Sequence, residues 1–188
     1  MANNRVVPAD QDAEEAVLGA LFISDADIYF YAGMTTPTEA IPQAAIDYHN
    51  AHLGPAVQQT LKLLEPGDFY RDRHGWIYQA IRKLKRAGSH ANQITVAHQL
   101  ALEGKLEACG GAAYLSHLIA NCPTTVFLLD YAKIVRDTAT KRGLIGAARQ
   151  IEEIGYSGSP GKEAKEMADS VLNRLSQPKG PTLLEFSK

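Results

Sequence analysis

Apolar residues recur at helical spacing along nearly the whole chain, and this pattern is the strongest constraint on its fold. From Asp12 onward, small or apolar residues fall at i, i+3, i+4, i+7 and i+8, which places them on one face of a helix. The same period returns at 71–87 and, over a longer stretch, at 126–156. No segment alternates apolar and polar residues as a half-buried strand does. The sequence therefore predicts an all-α protein.

Glycine, proline and capping residues predict where these helices begin and end. The first helix is expected to run from Asp12 to about Ser24. Pro55 predicts a new helix start, and Gly88 predicts the residue just after the helix that begins near 71–74. Further helices are predicted at 95–103, 112–120, 126–156 and 162–175, the last of them after a glycine- and proline-rich linker at 157–161.

Composition excludes several classes of protein. The 188 residues are enough to bury a sizeable core, and 45% hydrophobic with 21% charged residues is ordinary for a globular domain. No stretch approaches the roughly 18 apolar residues of a membrane span, and the first residues lack the apolar run of a signal peptide. We therefore expect a cytoplasmic protein without a membrane partner. A net charge of −2 disfavours a protein whose whole surface binds nucleic acid.

No motif in the chain defines an enzyme. The sequence has neither a GxxxxGK[ST] phosphate loop nor a GxGxxG turn, and no serine or cysteine lies in a nucleophile motif. His49 and His52 share one helical face at a spacing compatible with a metal ion, but no third ligand follows nearby. We predict a solvated surface there, with no metal and no catalytic residue; a hydrolase that uses this pair is the alternative.

The stretch LEPGDFYRDRHGWIYQAIRKLKRAG, residues 64–88, combines aromatic side chains with many basic ones. Arg82, Lys83, Lys85 and Arg86 crowd the last turn of its helix, where cations complement the helix dipole. The same four cations could attract phosphate while an aromatic ring stacks on a base. The pattern favours a helix terminus and leaves open a patch that faces a partner or a nucleic acid. A small nucleic-acid-binding protein is thus the rival interpretation of the chain.

Two helices are expected to contact other protein chains. The pattern at 126–156 exceeds the usual length of a globular helix, so part of it should pack on something outside the domain. The helix at 162–175 has an apolar stripe that no other segment obviously covers, which suggests docking into a groove of a partner. That stripe consists of Ala164, Met167, Ala168, Val171, Leu172 and Leu175.

Ordered sequence blocks resemble those of a known family. They are AEEAVLGAL (13–21), LEPGDFY (64–70), HGWIYQAI (74–81), ITVAHQL (94–100), GKLEACGGAAYLSHL (104–118) and YAKIVRDTATKRGLI (131–145). In this order they closely resemble the amino-terminal domain of the DnaB-type replicative DNA helicases. The resemblance covers roughly residues 8–156, and the helix at 162–175 is similar to the linker helix that follows this domain in the family.

The resemblance implies a compact helical head at 12–123, a long helical hairpin region at 124–156 and then the separate linker helix. In the family these domains pair through their hairpins and build a trimer of dimers, the collar of a hexameric ring. The collar receives primase and, in some systems, a helicase loader, while the linker helix docks on a neighbouring ATPase domain. The stripe at 162–175 would supply this docking, and the subunit interface would include Tyr131, Ile134, Val135, Ile145, Ala148 and Ile151.

The chain departs from the family pattern in two ways. It lacks the Walker lysine, so ATP, Mg²⁺ and DNA unwinding would belong to a helicase domain that these residues do not contain. Both a fragment of a longer helicase and a stand-alone collar domain fit, and the linker-like helix favours the fragment. The distance between the VLGAL and DFY blocks exceeds that of the family, which predicts an insertion at about 29–55. Residues 1–11 are expected to be flexible and 176–188 disordered.

Overall fold

The computed structural model describes residues 6–31, 47 and 53–176, and every regular element in this part of the chain is helical. The all-α prediction is confirmed. His49, His52, most of the predicted insertion and the tail beyond Ser176 lie outside the described residues. The helices are α1 (Gln11–Tyr31), α2 (Gly54–Leu63), α3 (Asp72–Arg86), α4 (Gln93–Leu102), α5 (Gly111–Ala120), α6 (Leu128–Tyr156) and α7 (Gly161–Ser176), with a 3-10 turn at Pro66–Asp68.

The chain divides into two compact units. Ala9–Ala139 form one unit, which we call the head. Thr140–Lys188, together with Met1–Pro8, belong to the other, which we call the hairpin unit. The boundary between them falls inside α6, so this helix contributes its first part to the head and its second part to the hairpin unit.

α1 is the central helix of the head. Between Ala16 and Phe22 its apolar side chains are at most 7% exposed, on every side of the helix. A helix that is apolar all round must be enclosed, and α1 packs against α2, α3 and α5. The buried surface of α1 is therefore wider than the single apolar stripe that the sequence predicted. The predicted end near Ser24 was also wrong, because the helix continues to Tyr31.

Gly19 lets α5 cross α1 at close range. A Cβ atom on Gly19 would overlap the carbonyl oxygen of Leu118 and would lie 2.7 Å from the Cβ of Cys122. Only glycine, which has no Cβ, permits this approach. The glycine of the VLGAL block is therefore a helix-packing residue.

The aromatic stretch around α3 builds the other half of the head core. Tyr78 is fully buried, and its hydroxyl donates to the carbonyl oxygens of Thr60, at 3.2 Å, and Leu64, at 3.1 Å. Burial raises the pKa of Tyr78 above its ordinary value. The ring of Phe69 lies 4.9 Å from that of Tyr78, centroid to centroid. The contacts tie α3 to the end of α2 and explain why this stretch is aromatic.

The predicted helix ends are confirmed at Gly88 and Pro55, and the predicted start of α4 was wrong. α3 ends at Arg86 and is followed by Gly88 at φ 69°, as predicted, and Pro55 lies in the first turn of α2. α4 begins earlier than the predicted residue 95 because Asn92 caps it. The side-chain oxygen of Asn92 accepts from the backbone N–H groups of Ile94 and Thr95, both at 3.0 Å.

In the hairpin unit, α7 packs along the second part of α6. A Cβ on Gly143 would lie 3.5 Å from the Cδ2 of Leu175, and Arg174 Nη2 donates to Gln150 Oε1 at 3.5 Å. Val171 is only 5% exposed. The expectation that no other segment covers the α7 stripe was therefore wrong for Val171, because the stripe turns in part toward α6 of the same chain.

Candidate interaction surfaces

The residues predicted for a subunit interface all lie on α6. Some belong to its head part and some to its part in the hairpin unit. In the head, Val135 is fully buried in the core, Tyr131 is half-buried and Ile134 is 41% exposed. Val135 therefore packs within its own chain. In the hairpin unit, Ile145 is 39% exposed, Ala148 is exposed and Ile151 is half-buried.

Further exposed apolar residues near the start of α6 were missed by the sequence analysis. Val126 is 60% exposed and Phe127 is 53% exposed, immediately before the helix begins at Leu128. The signal was available, since two bulky apolar residues next to each other precede a helix that follows Pro123. The helical pattern at 126–156 includes both residues but does not show that they are exposed.

The head contains a cleft of about 580 Å³ that is lined in part by the first residues of α1 and α6. Tyr131 and Ile134 form part of its apolar wall, and carboxylates from the start of α1 form the other side. Asp10 is already engaged as the cap of α1, since it accepts from the backbone N–H of Ala13 at 2.9 Å. The lining residues are Asp10, Asp12, Ala13, Glu15, Ala16, His117, Asn121, Pro123, Tyr131 and Ile134.

The residues predicted for linker docking differ in how accessible they are. Met167 and Leu172 are about half exposed, and Leu175 is 40% exposed, so these three could meet another chain. Ala164 is half-buried, and Val171 is buried inside the hairpin unit. An open groove of about 710 Å³ runs between α6 and α7, with Ile154, Met167 and Val171 among its lining residues.

The basic end of α3 is largely neutralised by its own chain. Arg82 is 9% exposed and makes a two-pronged ion pair with Glu65, with Nη2 to Oε1 at 3.0 Å. Lys83 Nζ donates to Glu103 Oε1 at 2.9 Å. Lys85 also has an interaction partner, and Arg86 is exposed. This arrangement weakens the hypothesis of a phosphate-binding patch at these four residues.

Within the head, an ion pair links the first part of α6 to the 3-10 turn. Asp68, whose side chain is fully buried, receives Nη1 of Arg136 on both carboxylate oxygens, at 3.0 and 2.9 Å. The same carboxylate accepts from the backbone N–H of Glu65 at 2.9 Å, which closes the 3-10 turn. The DFY block and the block at 131–145 therefore meet in space.

A second buried polar network, absent from the predicted sites, joins α1, α3 and α5. Glu14 and His74 are both fully buried, with Glu14 Oε2 2.7 Å from His74 Nδ1. Glu14 also accepts from the backbone N–H of Tyr70 at 2.5 Å. His74 Nε2 lies 2.7 Å from the hydroxyl of Tyr114, which in turn lies 3.0 Å from Glu15 Oε1. We call Glu14, His74, Tyr114 and Glu15 the head clasp.

The surroundings of the clasp shift the acidity of its tyrosine. Burial, together with the hydrogen bond to the Glu15 carboxylate, raises the pKa of Tyr114 to about 12. The guanidinium of Arg73 stacks 3.9 Å from the centre of the Tyr114 ring and acts in the opposite direction. In the sequence His74 is a single histidine within a helical pattern, so its partner carboxylate on α1 could not be assigned from spacing.

Two further negative findings concern only the part of the chain that the structure describes. None of its helices is both long and apolar enough to cross a membrane. It brings together no group of three or more histidine, cysteine or acidic side chains suited to hold a metal ion.

Solved structures with the same fold define the class of protein. The N-terminal domain of DnaB helicase from Mycobacterium tuberculosis matches with a TM-score of 0.69 and 31% identity, over 89% of this chain and 99% of that one. A DnaB-like replicative helicase, solved to describe its interactions with primase, matches with a TM-score of 0.58 over 93% of this chain and 33% of that chain; at 22% identity this likeness concerns the fold. The class is that of the helical N-terminal domains of replicative helicases.

Sequence comparison gives the family. The model of the DnaB-like helicase N terminal domain matches residues 53–137. The replicative DNA helicase DnaB of Mycobacterium leprae is 32% identical over 88% of this chain and 22% of its own length, and that of Geobacillus stearothermophilus is 31% identical over 82% and 28%. The chain belongs to the DnaB-like helicase N-terminal domain family, which confirms the resemblance. It spans between 22% and 28% of the length of these curated relatives.

Proposed function

We propose that the chain is an oligomerisation and partner-recruitment domain of a replicative DNA helicase. Family membership supports the setting in DNA replication. The observation that carries the oligomerisation role is the exposure of bulky apolar side chains in each unit. Such residues are costly to leave in water and mark interaction surfaces when they cluster.

Each of the two units exposes bulky apolar side chains of its own. In the head, Val126, Phe127 and Ile134 are exposed at or near the start of α6. In the hairpin unit, Leu144 and Ile145 are exposed on α6, and Met167, Leu172 and Leu175 on α7. A second copy of the chain would remove these residues from water, and the family resemblance supports pairing of this kind, with hexamers in the parent protein.

The remaining partners are proposed for the parent protein. We expect primase to bind the collar, since a solved DnaB-like replicative helicase of the same fold interacts with primase. A helicase loader is a further expected partner. DNA, ATP and Mg²⁺ would be engaged by an ATPase domain that these residues do not contain. We propose a cytoplasmic location, together with the replication machinery.

Light scattering coupled to size-exclusion chromatography tests the oligomerisation role. The monomer has a mass of 20.4 kDa. We expect the wild-type chain to run at about twice this mass or more at concentrations of tens to hundreds of micromolar. Ile134→Asp should shift the equilibrium toward the monomer, because it places a carboxylate in an interface that depends on apolar burial.

Ile94→Asp is the matched control. Ile94 is 80% exposed on α4 and takes no part in the proposed surface. This variant should associate like the wild type. A wild-type chain that stays monomeric at the highest concentration would refute the oligomerisation role, and equal weakening by both variants would place the interface elsewhere.

A further inference from the structure

One side of α4 is exposed and apolar, although its other side is built into the head core. Val96 and Leu100 are fully buried. On the opposite side, Ile94 is 80% exposed and Leu102 is 71% exposed, and the residues between them on this side are exposed as well. The spacing i, i+4, i+7 and i+8 places these positions on one continuous stripe along the helix. The α4 face, as we call this stripe, consists of Ile94, His98, Ala101 and Leu102.

Hydrogen bonds on both flanks hold the α4 face in place. Gln93 Nε2 donates to Ser116 Oγ on α5 at 2.6 Å, which ties the start of α4 to its neighbour. Gln99 Nε2 donates to Glu103 Oε1 at 2.7 Å near the other end. The face is therefore preformed, and a partner that docks on it need not first order the helix.

The surroundings of the α4 face are basic, in contrast to the chain as a whole. Residues 83–107 carry four lysines or arginines and two glutamates, whereas the whole chain has a net charge of −2. Lys83 and Lys105 both reach the Glu103 carboxylate, with their Nζ atoms 2.9 and 3.8 Å from its oxygens, so one carboxylate faces two cations. Arg86 is exposed at the end of α3, and no carboxylate among the described residues pairs with it. Cations are thus in excess beside the face.

We propose that the α4 face is the docking site for an acidic amphipathic helix of another protein. Ile94 and Leu102 are eight residues, or about 12 Å, apart along the helix axis. A partner helix that lies along α4 would meet them with two apolar residues about two turns apart. Its acidic residues would face Lys105 and Arg86. This inference rests on the partner-recruitment role of the domain, and it gives that role a surface and a chemistry of partner.

A nucleic acid and a second copy of the chain are poorer matches to the α4 face. Ile94 and Leu102 are aliphatic and cannot stack on bases as aromatic rings do. Binding to a phosphate backbone also needs several unpaired cations, and Lys83 is already paired with Glu103. Two copies of the face would bring the same excess of positive charge together, which opposes their association.

Fluorescence anisotropy with two designed peptides tests the proposal on the 188-residue chain. Both peptides are labelled helices of about four turns with leucine on one face. In the first the remaining positions are glutamate and alanine, and in the second lysine replaces each glutamate. We expect the acidic peptide to bind at least about tenfold more tightly than the basic one, because only its charges oppose those beside the face. Equal affinities, or no binding of the acidic peptide up to millimolar concentration, would overturn the proposal.

Variants of the α4 face locate the binding site. Ile94→Asp and Leu102→Asp should each weaken binding of the acidic peptide by about tenfold or more, because each removes an apolar contact and adds a like charge. Tyr156→Asp is the matched control, since Tyr156 is 86% exposed at the end of α6 and lies outside the face. Circular dichroism should show the helicity of the wild type in all three. Binding at the affinity of the wild type in both face variants would contradict the proposal.

Charge reversal beside the face tests the electrostatic contribution. Arg86→Glu should weaken binding of the acidic peptide by about threefold, as expected for an exposed charge pair. Lys165→Glu, which reverses an exposed cation on α7, should leave that affinity unchanged. Equal weakening by both variants would mean that the peptide responds only to net charge, and the proposed site would be wrong.

Two further measurements identify other occupants. If Ile94→Asp and Leu102→Asp weaken self-association in light scattering, the occupant is a second copy of the chain. If a single strand of thymidine nucleotides displaces the acidic peptide, the occupant is a nucleic acid. Either result would overturn the proposal. A chain that self-associates but does not bind the acidic peptide would refute this inference alone and leave the oligomerisation role intact.

Discussion

α1 and α5 cross at close range because residue 19 is glycine and has no Cβ atom. In Gly19→Ala the new Cβ would overlap the carbonyl oxygen of Leu118, and a backbone atom cannot rotate away as a side-chain end can. α5 must therefore shift, and overpacking of this kind costs about 1–3 kcal/mol. We expect Gly19→Ala to lower the free energy of unfolding by that amount, as measured by urea titration with circular dichroism.

Gly146→Ala is the control for this substitution. Gly146 lies inside α6, and a Cβ there would meet no atom within 4 Å. Because alanine favours a helix interior over glycine by up to about 1 kcal/mol, this variant should be as stable as the wild type or more so. A Gly19→Ala variant that is stabilised to the same extent would show that the crossing tolerates a methyl group.

The raised pKa of Tyr114 predicts a loss of stability in alkali. Burial and the Glu15 carboxylate raise the pKa of Tyr114 to about 12, against 10.0 for a free tyrosine. The folded head thus favours the protonated phenol, a contribution that is complete below pH 10 and is lost as pH rises toward 12. Tyr114→Phe should therefore lose less stability than the wild type between pH 10 and 12, measured as the urea midpoint at each pH.

Tyr156→Phe serves as the comparison for this experiment. Tyr156 is 86% exposed at the end of α6, so removal of its hydroxyl changes no buried contact. Its urea midpoints should follow those of the wild type at every pH. A Tyr114→Phe curve parallel to both would mean that this phenol does not contribute to the alkaline transition.

At the scale of the element, helix ends were predictable where a glycine or a proline defines them. Gly88 and Pro55 act through backbone conformation alone, so their effect can be read without knowledge of the fold. The end of α1 has no such marker, since no glycine or proline interrupts the chain between Ser24 and Tyr31. The predicted end near Ser24 therefore had no backbone signal to support it.

The polar networks were beyond prediction for a different reason. Glu14, His74 and Tyr114 are separated by dozens of residues and come from three helices. In the sequence, each of these residues could equally be a surface charge, a helix cap or a core residue. Only the packing of α1, α3 and α5 places their polar atoms within 3 Å, and hydrophobic periodicity carries no information about that placement.

The ion pair between Asp68 and Arg136 connects two elements, the 3-10 turn and α6. Arg136→Met would leave the buried Asp68 carboxylate without this cation, a loss that costs about 3–5 kcal/mol for a fully buried pair. Because Arg136 is one-third exposed, we expect the lower part of that range. Asp68→Asn should also be destabilising, since the amide oxygen can still accept from the backbone N–H of Glu65 but the side chain loses its charge and one of the two oxygens that face Arg136.

The double variant separates pairing from other effects. If the two side chains act mainly on each other, Arg136→Met combined with Asp68→Asn should lose less stability than the sum of the single losses. Urea unfolding of the four proteins closes this cycle. Additive losses would mean that the ion pair itself contributes little to anchoring α6.

At the scale of the whole molecule, the sequence predicted the head better than it predicted the role of α7. An amphipathic stripe reports that a helix needs a cover, and it cannot say whether the cover is the same chain or another one. Here α6 covers Val171, while Met167, Leu172 and Leu175 stay accessible. Docking of α7 on a neighbouring subunit thus stays a prediction, and it rests on the accessible residues alone.

Neighbouring positions on α7 allow the two roles to be separated. Val171→Asp would bury a carboxylate between α6 and α7, so it should unfold the hairpin unit and lower the helical signal in circular dichroism. Leu172→Asp changes a side chain that is 49% exposed, so helicity should be retained while self-association in light scattering weakens. If Leu172→Asp associates like the wild type, then α7 serves only to complete the hairpin of its own chain, and contacts between copies must come from the head and α6.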